Sequence, residues 1–280
     1  MQVWRIGGGR ELALGSRGLL MGILNVTPDS FSDGGMHDNV EGACTAARAM
    51  VAAGVDMIDV GGESTRPNAE TVSGETERKR VIPIVARLAE QLDVPISIDT
   101  YRSDTAEAAI EAGATIVNDV TAGLLEERML DVVARTGVGY IAMHNSRPDI
   151  RPDRRSDAIE DQLSFAGELT KRLGHANVAV DRVVFDPGIG FGKDATENLE
   201  LLFRLGELQA VAFPVLLGTS RKRFLGTVTG REAIERDVAT AATTVAGRFA
   251  GASIFRVHDV ATNRDALRVA DAIRDAGRVR

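Results

Sequence analysis

Two aspartates stand in otherwise apolar surroundings: Asp99 in "PISIDT" (95–100) and Asp186 in "RVVFDPG" (182–188). A carboxylate so placed can accept paired N–H donors from a flat, nitrogen-rich ring. Other apolar runs lead instead into cations or potential cations: Arg66 follows "VDMIDVGG" (55–62), Lys222 lies in "PVLLGTSRKRFLG" (214–226), and Arg256 and His258 lie in "SIFRVHD" (253–259). Such groups suit phosphate oxygens. Carboxylates and cations together describe a site for a substrate that joins an N-heterocycle to a phosphate or diphosphate. Asn25, Glu63, Thr65, Asn118, Asp119, His144, Ser220 and Arg221 fall at equivalent places. One strand-end aspartate is as readily a helix N-cap, and one histidine as readily a satisfied structural residue. Polar ends on every apolar run are harder to dismiss.

The runs are "LLMGILNV" (19–26), 55–62, 95–100, "ATIVNDV" (114–120), "VGYIAMH" (138–144), 182–188, "PVLLGTS" (214–220) and 253–259. They are rich in Val and Ile and short, as buried parallel strands are. Between them lie segments of helical length such as "NVEGACTAARAMVAAG" (39–54) and "SDTAEAAIEAG" (103–113), and Gly54, Gly113, Gly137 and Gly174 are expected to stop helices. Eight strand–helix units predict an α/β protein, a (β/α)8 TIM barrel whose chemistry sits at the C-terminal strand ends. A doubly wound open sheet is the alternative. Residues 1–18 read as a short N-terminal β-hairpin covering the bottom of the barrel. No composition break divides residues 1–280, so one domain is expected.

Composition excludes several classes. Lys+Arg number 33 against 40 Asp+Glu, a net charge of −7, which disfavours nucleic acid and anionic membrane surfaces as partners. A single cysteine, Cys44, allows no internal disulfide. No run approaches the ~20 apolar residues of a membrane span, and the N-terminus lacks a signal-peptide core. A soluble cytoplasmic protein is expected. "PGIGFGKD" (187–194) fails the phosphate-loop pattern at Pro187 and Asp194 and the dinucleotide pattern at Lys193. It reads as a glycine-rich turn that lets Phe191 enter the mouth. No Cys/His cluster has zinc spacing.

"GILNVTPDSFSDGG" (22–35) and "DVGGESTRPNA" (59–69), followed in order by "SIDT", "VNDV", "FDPGIGFGK", "GTSRKRFLG" and "RVHDV", resemble the signatures of the dihydropteroate synthase family, the folate-pathway target of sulfonamides. The resemblance covers nearly the whole chain. It implies a transferase that joins p-aminobenzoate to a dihydropterin carrying a diphosphate and releases pyrophosphate. It further implies that Asp99, Asn118, Asp186 and Lys222 hold the pterin. Asn25 and Asp33 would sit near a Mg²⁺ on the diphosphate, with Arg66, Arg256 and His258 contacting that group. Phe31, Thr65, Pro67, Phe191, Ser220 and Arg221 would shape the p-aminobenzoate pocket. A homodimer is implied too, for which the small-residue stretch 239–252 offers one face; that face could equally pack on its own barrel. Sulfonamide-insensitive relatives carry an insertion after strand six, and residues 187–202 have none.

Two other readings fit less well. A pterin-dependent methyltransferase domain would not need "SRKRF" or "ESTRP", and a silent paralogue would be expected to have lost Asn25, Arg66 or Lys222. One segment departs from the family pattern: "MHNSRPDIRPDRRSD" (143–157) carries four arginines. It reads as a solvated, charge-balanced loop, the alternative being an altered pocket rim.

Overall fold

The computed structural model describes residues 2–26, 36–63 and 72–278. A two-stranded antiparallel hairpin, β1 (Gln2–Arg5) and β2 (Glu11–Leu14), precedes eight parallel strands. These alternate with helices: β3 (Leu19–Asn25), α1 (Met36–Ala52), β4 (Met57–Gly61), α2 (Gly74–Gln91), β5 (Ile96–Asp99), α3 (Ser103–Glu111), β6 (Ile116–Asp119) and α4 (Arg128–Thr136). The second half continues with β7 (Gly139–Met143), α5 (Ala158–His175), β8 (Val183–Asp186), α6 (Ala195–Phe203), β9 (Leu216–Leu217), α7 (Arg223–Thr229), α8 (Asp237–Phe249), β10 (Ile254–Val257) and α9 (Val260–Arg278). The sheet order is β8-β7-β6-β5-β4-β3-β10-β9, and the ends meet where the Phe185 N–H donates to the Pro214 carbonyl at 2.8 Å. Chain order is preserved around the ring. A doubly wound sheet would reverse it at a switch point, so the barrel stands. β9 is only two residues long and follows Pro214, which has no N–H to give to a ladder.

Barrel strands are buried on both faces, but the two faces differ. The outward face packs on the helices. Inward at the N-terminal end, Leu19, Met21, Met57, Ile116, Ile141, Val184, Leu216 and Ile254 form a plug with Trp4, Ile6 and Leu14 of the hairpin. The Trp4 indole N–H donates to the Arg182 carbonyl at 2.8 Å. Gly139 must lack a side chain, since a Cβ there would lie 2.7 Å from Ile6. The hairpin thus seals the bottom and leaves the other end of the barrel open to chemistry.

Gly54, Gly113 and Gly137 take positive φ beyond their helices, as expected. Gly174 does not: it lies inside α5, and the left-handed residue that follows is Asn177, φ +58°. Asparagine is the residue after glycine best able to adopt that conformation. The small-residue face of α8 packs inward, where a Cβ on Gly247 would lie 2.4 Å from Leu217.

Candidate active site at the barrel mouth

Strand register sets a row of residues at one height: Asn25 lies beside Gly61, Gly61 beside Asp99, and Asp99 beside Asn118. Gly61 leaves open the space between its neighbours, for a Cβ there would come within 3.6 Å of Asn25 Oδ1 and 3.7 Å of Asp99 Oδ2. Two residues below Gly61 on the same face is Asp59, fully buried, which the sequence reading passed over. Its Oδ2 accepts from Asn118 Nδ2 at 2.9 Å and from Arg256 Nε at 2.7 Å. Arg256 Nη2 donates to Asp99 Oδ2 at 2.7 Å. One guanidinium is therefore shared by two carboxylates, which hold it charged although burial works against that charge. Because Asn118 spends its NH2 on Asp59, its carbonyl oxygen is left to accept. Oδ1 of both Asp59 and Asp99 is buried without a partner, and such an acceptor is costly unless something donates to it. Burial pushes the Asp99 carboxyl up to about 7; Arg256 opposes this and Asp59 adds to it.

Across the mouth, the Gly188 N–H donates to Asp186 Oδ1 at 2.7 Å. Gly218 again opens space: a Cβ there would lie 3.8 Å from Asp186 Oδ2 and 4.0 Å from Lys222 Nζ. Burial raises the Asp186 carboxyl, against the pull of Lys222. It lowers the Lys222 ammonium to about 8, against the pull of Asp186. The ammonium donates to the Ile189 carbonyl and stands 4.7 Å from the centre of the Phe191 ring. At the ends of β9 and β10, Ser220 Oγ and His258 Nδ1 are hydrogen-bonded at 2.9 Å. Arg221 turns away to α8, where Nε and Nη2 each donate to Asp237 at 2.7 Å.

The mouth thus gathers Asn25, Asp99, Asn118, Asp186, Lys222 and Arg256, with Phe191, Ser220 and His258 on the same face of the barrel. Phe31, Asp33, Thr65, Arg66 and Pro67 lie outside the described residues. Besides Arg221, expected to line the p-aminobenzoate pocket but paired instead with Asp237, two further strand-end residues named from sequence do not face the mouth. Asp119 is turned outward, accepting from the Thr121 and Gly123 N–H groups and the Tyr140 hydroxyl. His144 is fully buried beneath α5, with Nε2 bound to Asp161 at 2.9 Å and Nδ1 facing Lys193 Nζ at 3.2 Å and Gln162 Nε2 at 3.1 Å. Burial pushes His144 down to about 4, so the ring is neutral and donates from Nε2. The structural reading holds for both. The arginine-rich segment also differs from expectation: Arg147 is exposed and paired with Asp149, but Arg151 and Arg154 are docked on the protein.

Carboxylates and a neutral carbonyl on the floor, cations beside them and an aromatic edge make a site that can grip a heterocycle through its N–H groups. The same site can take up charge on a departing anion. Residues 21–258 match the model of the pterin-binding enzyme family. The chain is 43% identical to the dihydropteroate synthase of Bacillus subtilis over 93% of this chain and 90% of that one. Its structure is similar to the Clostridium difficile dihydropteroate synthase in the presence of pteroic acid, with TM-score 0.89, 44% identity, and 94% and 98% of the two chains covered. It is similar as well to the Yersinia pestis enzyme in a sulfonamide drug complex, with TM-score 0.88, 38% identity, and 96% and 98% covered.

Proposed function

This chain belongs to the pterin-binding enzyme family, among the dihydropteroate synthases, and on that premise we propose how its barrel mouth works. The chain is a transferase of folate synthesis. It condenses 6-hydroxymethyl-7,8-dihydropterin diphosphate with p-aminobenzoate to give 7,8-dihydropteroate and pyrophosphate. The observation that carries this reading is the set of buried acceptors at the mouth, of which Asp99 Oδ1 has no partner. Asp99 and Asp186 offer buried carboxylates and Asn118 a fixed carbonyl, the acceptors that a pterin's ring N–H and amino groups require.

In our reading Asp99, Asn118, Asp186 and Lys222 bind the pterin. Asp59 orients Asn118 and Arg256 from below. The C–O bond to diphosphate breaks first, and the nearby carboxylates stabilise the positive charge that spreads into the ring. Arg256 and His258, with Arg66, receive the leaving diphosphate. The weakly nucleophilic aromatic amine then adds to the CH2 carbon and loses its proton. Phe191 and Ser220, with Phe31, Thr65 and Pro67, shape the amine's pocket, and Arg221 supports it through Asp237.

The donor set suits Mg²⁺. Asn25 presents a hard, neutral amide oxygen at the end of β3, and no cluster of three or more His, Cys, Asp or Glu lies among the described residues to make a dedicated cage. Mg²⁺ is commonly held by one or two protein oxygens plus substrate phosphates, here Asn25 with Asp33. When bound it neutralises charge on the leaving diphosphate.

We also place the enzyme in the cytoplasm, in keeping with its lone cysteine, and among homodimers. Among the described residues no helix is long and apolar enough to cross a membrane. For a dimer, Phe203, Val228, Ile234 and Val238 on the adjoining α6–α8 region are exposed, Phe203 by 89% and Val238 by 78%, an apolar surface of the kind that partners cover. Pyrophosphate release that requires both substrates tests the activity; release that ignores p-aminobenzoate contradicts it.

A further inference from the structure

The arginine-rich segment after β7 takes no part in the chemistry above, yet it is docked at two points. Arg151 is 8% exposed, lies 4.7 Å over the Phe165 ring and stands 3.6 Å from Asp161, which ties the segment to α5. Arg154 reaches the other way. Its Nη1 donates to the Gly192 carbonyl at 3.0 Å, and its Nη2 donates to Glu197 Oε1. The other oxygen of Glu197 accepts from the Asp194 N–H at 2.7 Å, so one carboxylate both closes the first turn of α6 and anchors Arg154. Earlier in the segment, the Ser146 N–H donates to the Phe191 carbonyl at 3.2 Å. Two successive carbonyls, of Phe191 and Gly192, are thus held from outside the barrel by residues 146 and 154.

The turn they hold depends on such support. Gly188, Gly190 and Gly192 have φ of +64°, +82° and +67°, and glycines that adopt these values have many other conformations open to them. The fit is close: a Cβ on Gly192 would lie 2.3 Å from the Ser146 carbonyl carbon. Lys193 Nζ adds further ties, donating to the Gly188 carbonyl at 3.0 Å and to His144 Nδ1 at 3.2 Å. The turn is therefore held at several points, and it carries Phe191, whose N–H donates to the Gly188 carbonyl at 3.1 Å and whose ring stands beside the Lys222 ammonium.

We infer that Arg154 is a positioning residue for p-aminobenzoate: it holds the Phe191 turn from outside and so sets affinity for the amine half-reaction without touching that substrate. The inference rests on the reading of Phe191 as part of the amine's pocket. Arg154 is partly exposed, so its replacement spares the core. Arg147, an exposed arginine of the same segment paired with Asp149, serves as the control.

The experiment compares wild type, Arg154→Ala, Arg154→Lys and Arg147→Ala. Pyrophosphate release is measured with each substrate varied in turn, and amide hydrogen exchange is followed over residues 188–193. Loss of a charge-assisted hydrogen bond, discounted for exposure, should raise the Arg154→Ala KM for p-aminobenzoate about fivefold. Its kcat and its KM for the dihydropterin diphosphate should stay within about twofold, while exchange over 188–193 speeds up. Arg154→Lys should recover part of the KM through the Gly192 carbonyl, and Arg147→Ala should match wild type. A p-aminobenzoate KM within twofold of wild type in Arg154→Ala overturns the inference. So does a parallel loss in kcat and both KM values, which marks general destabilisation. If wild type releases no pyrophosphate, the functional reading has failed instead; unchanged exchange in Arg154→Ala would then overturn the brace on its own.

Discussion

Replacing Asp186 by asparagine changes one atom and should nearly abolish turnover. The Gly188 N–H donates to Oδ1 at 2.7 Å, so in the variant the amide oxygen must remain there. The NH2 group then takes the place of Oδ2, the oxygen on the Lys222 side of the mouth. A carboxylate that accepted from a pterin donor becomes a group that confronts that donor and a nearby ammonium. A hydrogen bond to a charged group contributes about 1.5–3 kcal/mol, and an unpaired buried donor costs about 1–3 kcal/mol more. A total of about 3–5 kcal/mol corresponds to pterin affinity weakened by about a hundredfold to a few thousandfold. Stability should move far less, because burial already opposes the Asp186 charge; a change in Tm within about 4 °C is expected. Calorimetric titration with the pterin substrate, with Tm measured alongside, reads both quantities. A folded variant that binds pterin within tenfold of wild type would refute the reasoning.

Three further outcomes are expected. His144 is held neutral at about 4, below the ordinary 6.5, so its contribution to stability is full above pH 6.5 and is lost as pH falls from about 6.5 through about 4. The loss is about 3 kcal/mol. His144→Asn should flatten the Tm-against-pH curve in that window, and parallel curves for variant and wild type would contradict this. Pyrophosphate should strengthen p-aminobenzoate binding, because in sequence Phe31 lies between Asn25 and Asp33, and Thr65 and Pro67 flank Arg66; calorimetry giving equal affinity with and without pyrophosphate would exclude an ordered mechanism. A sulfonamide should compete with p-aminobenzoate, raising its apparent KM and leaving the maximal rate unchanged, and a lowered maximal rate with unchanged KM would place the drug elsewhere.

Much of this was legible in the sequence, since each strand end carries its polar residue within a recognisable apolar run. Asp59 escaped because it sits in mid-strand, in "VDMIDVGG". Strands buried on both faces show no alternation that would separate an inward aspartate from its neighbours. The outward course of Asp119 and His144 is a matter of parity. Successive strand residues face opposite ways, so with Asn118 inward Asp119 must point out, and with Met143 paired to inward Asp186 His144 must as well. Parity can be applied once one inward residue per strand is known. The docking of Arg151 on Phe165 and of Arg154 on Glu197 joins residues distant in sequence, and no local pattern announces such contacts.

The central claim is that this mouth joins two molecules by expelling a third. The direct measurement mixes purified enzyme with Mg²⁺, p-aminobenzoate and 6-hydroxymethyl-7,8-dihydropterin diphosphate, and quantifies pyrophosphate and 7,8-dihydropteroate from the same samples. Equal amounts of the two products, rising together with time and absent for Lys222→Met and Asp99→Asn, are predicted. Pyrophosphate formed without dihydropteroate, or product formation undiminished in those variants, would contradict the account.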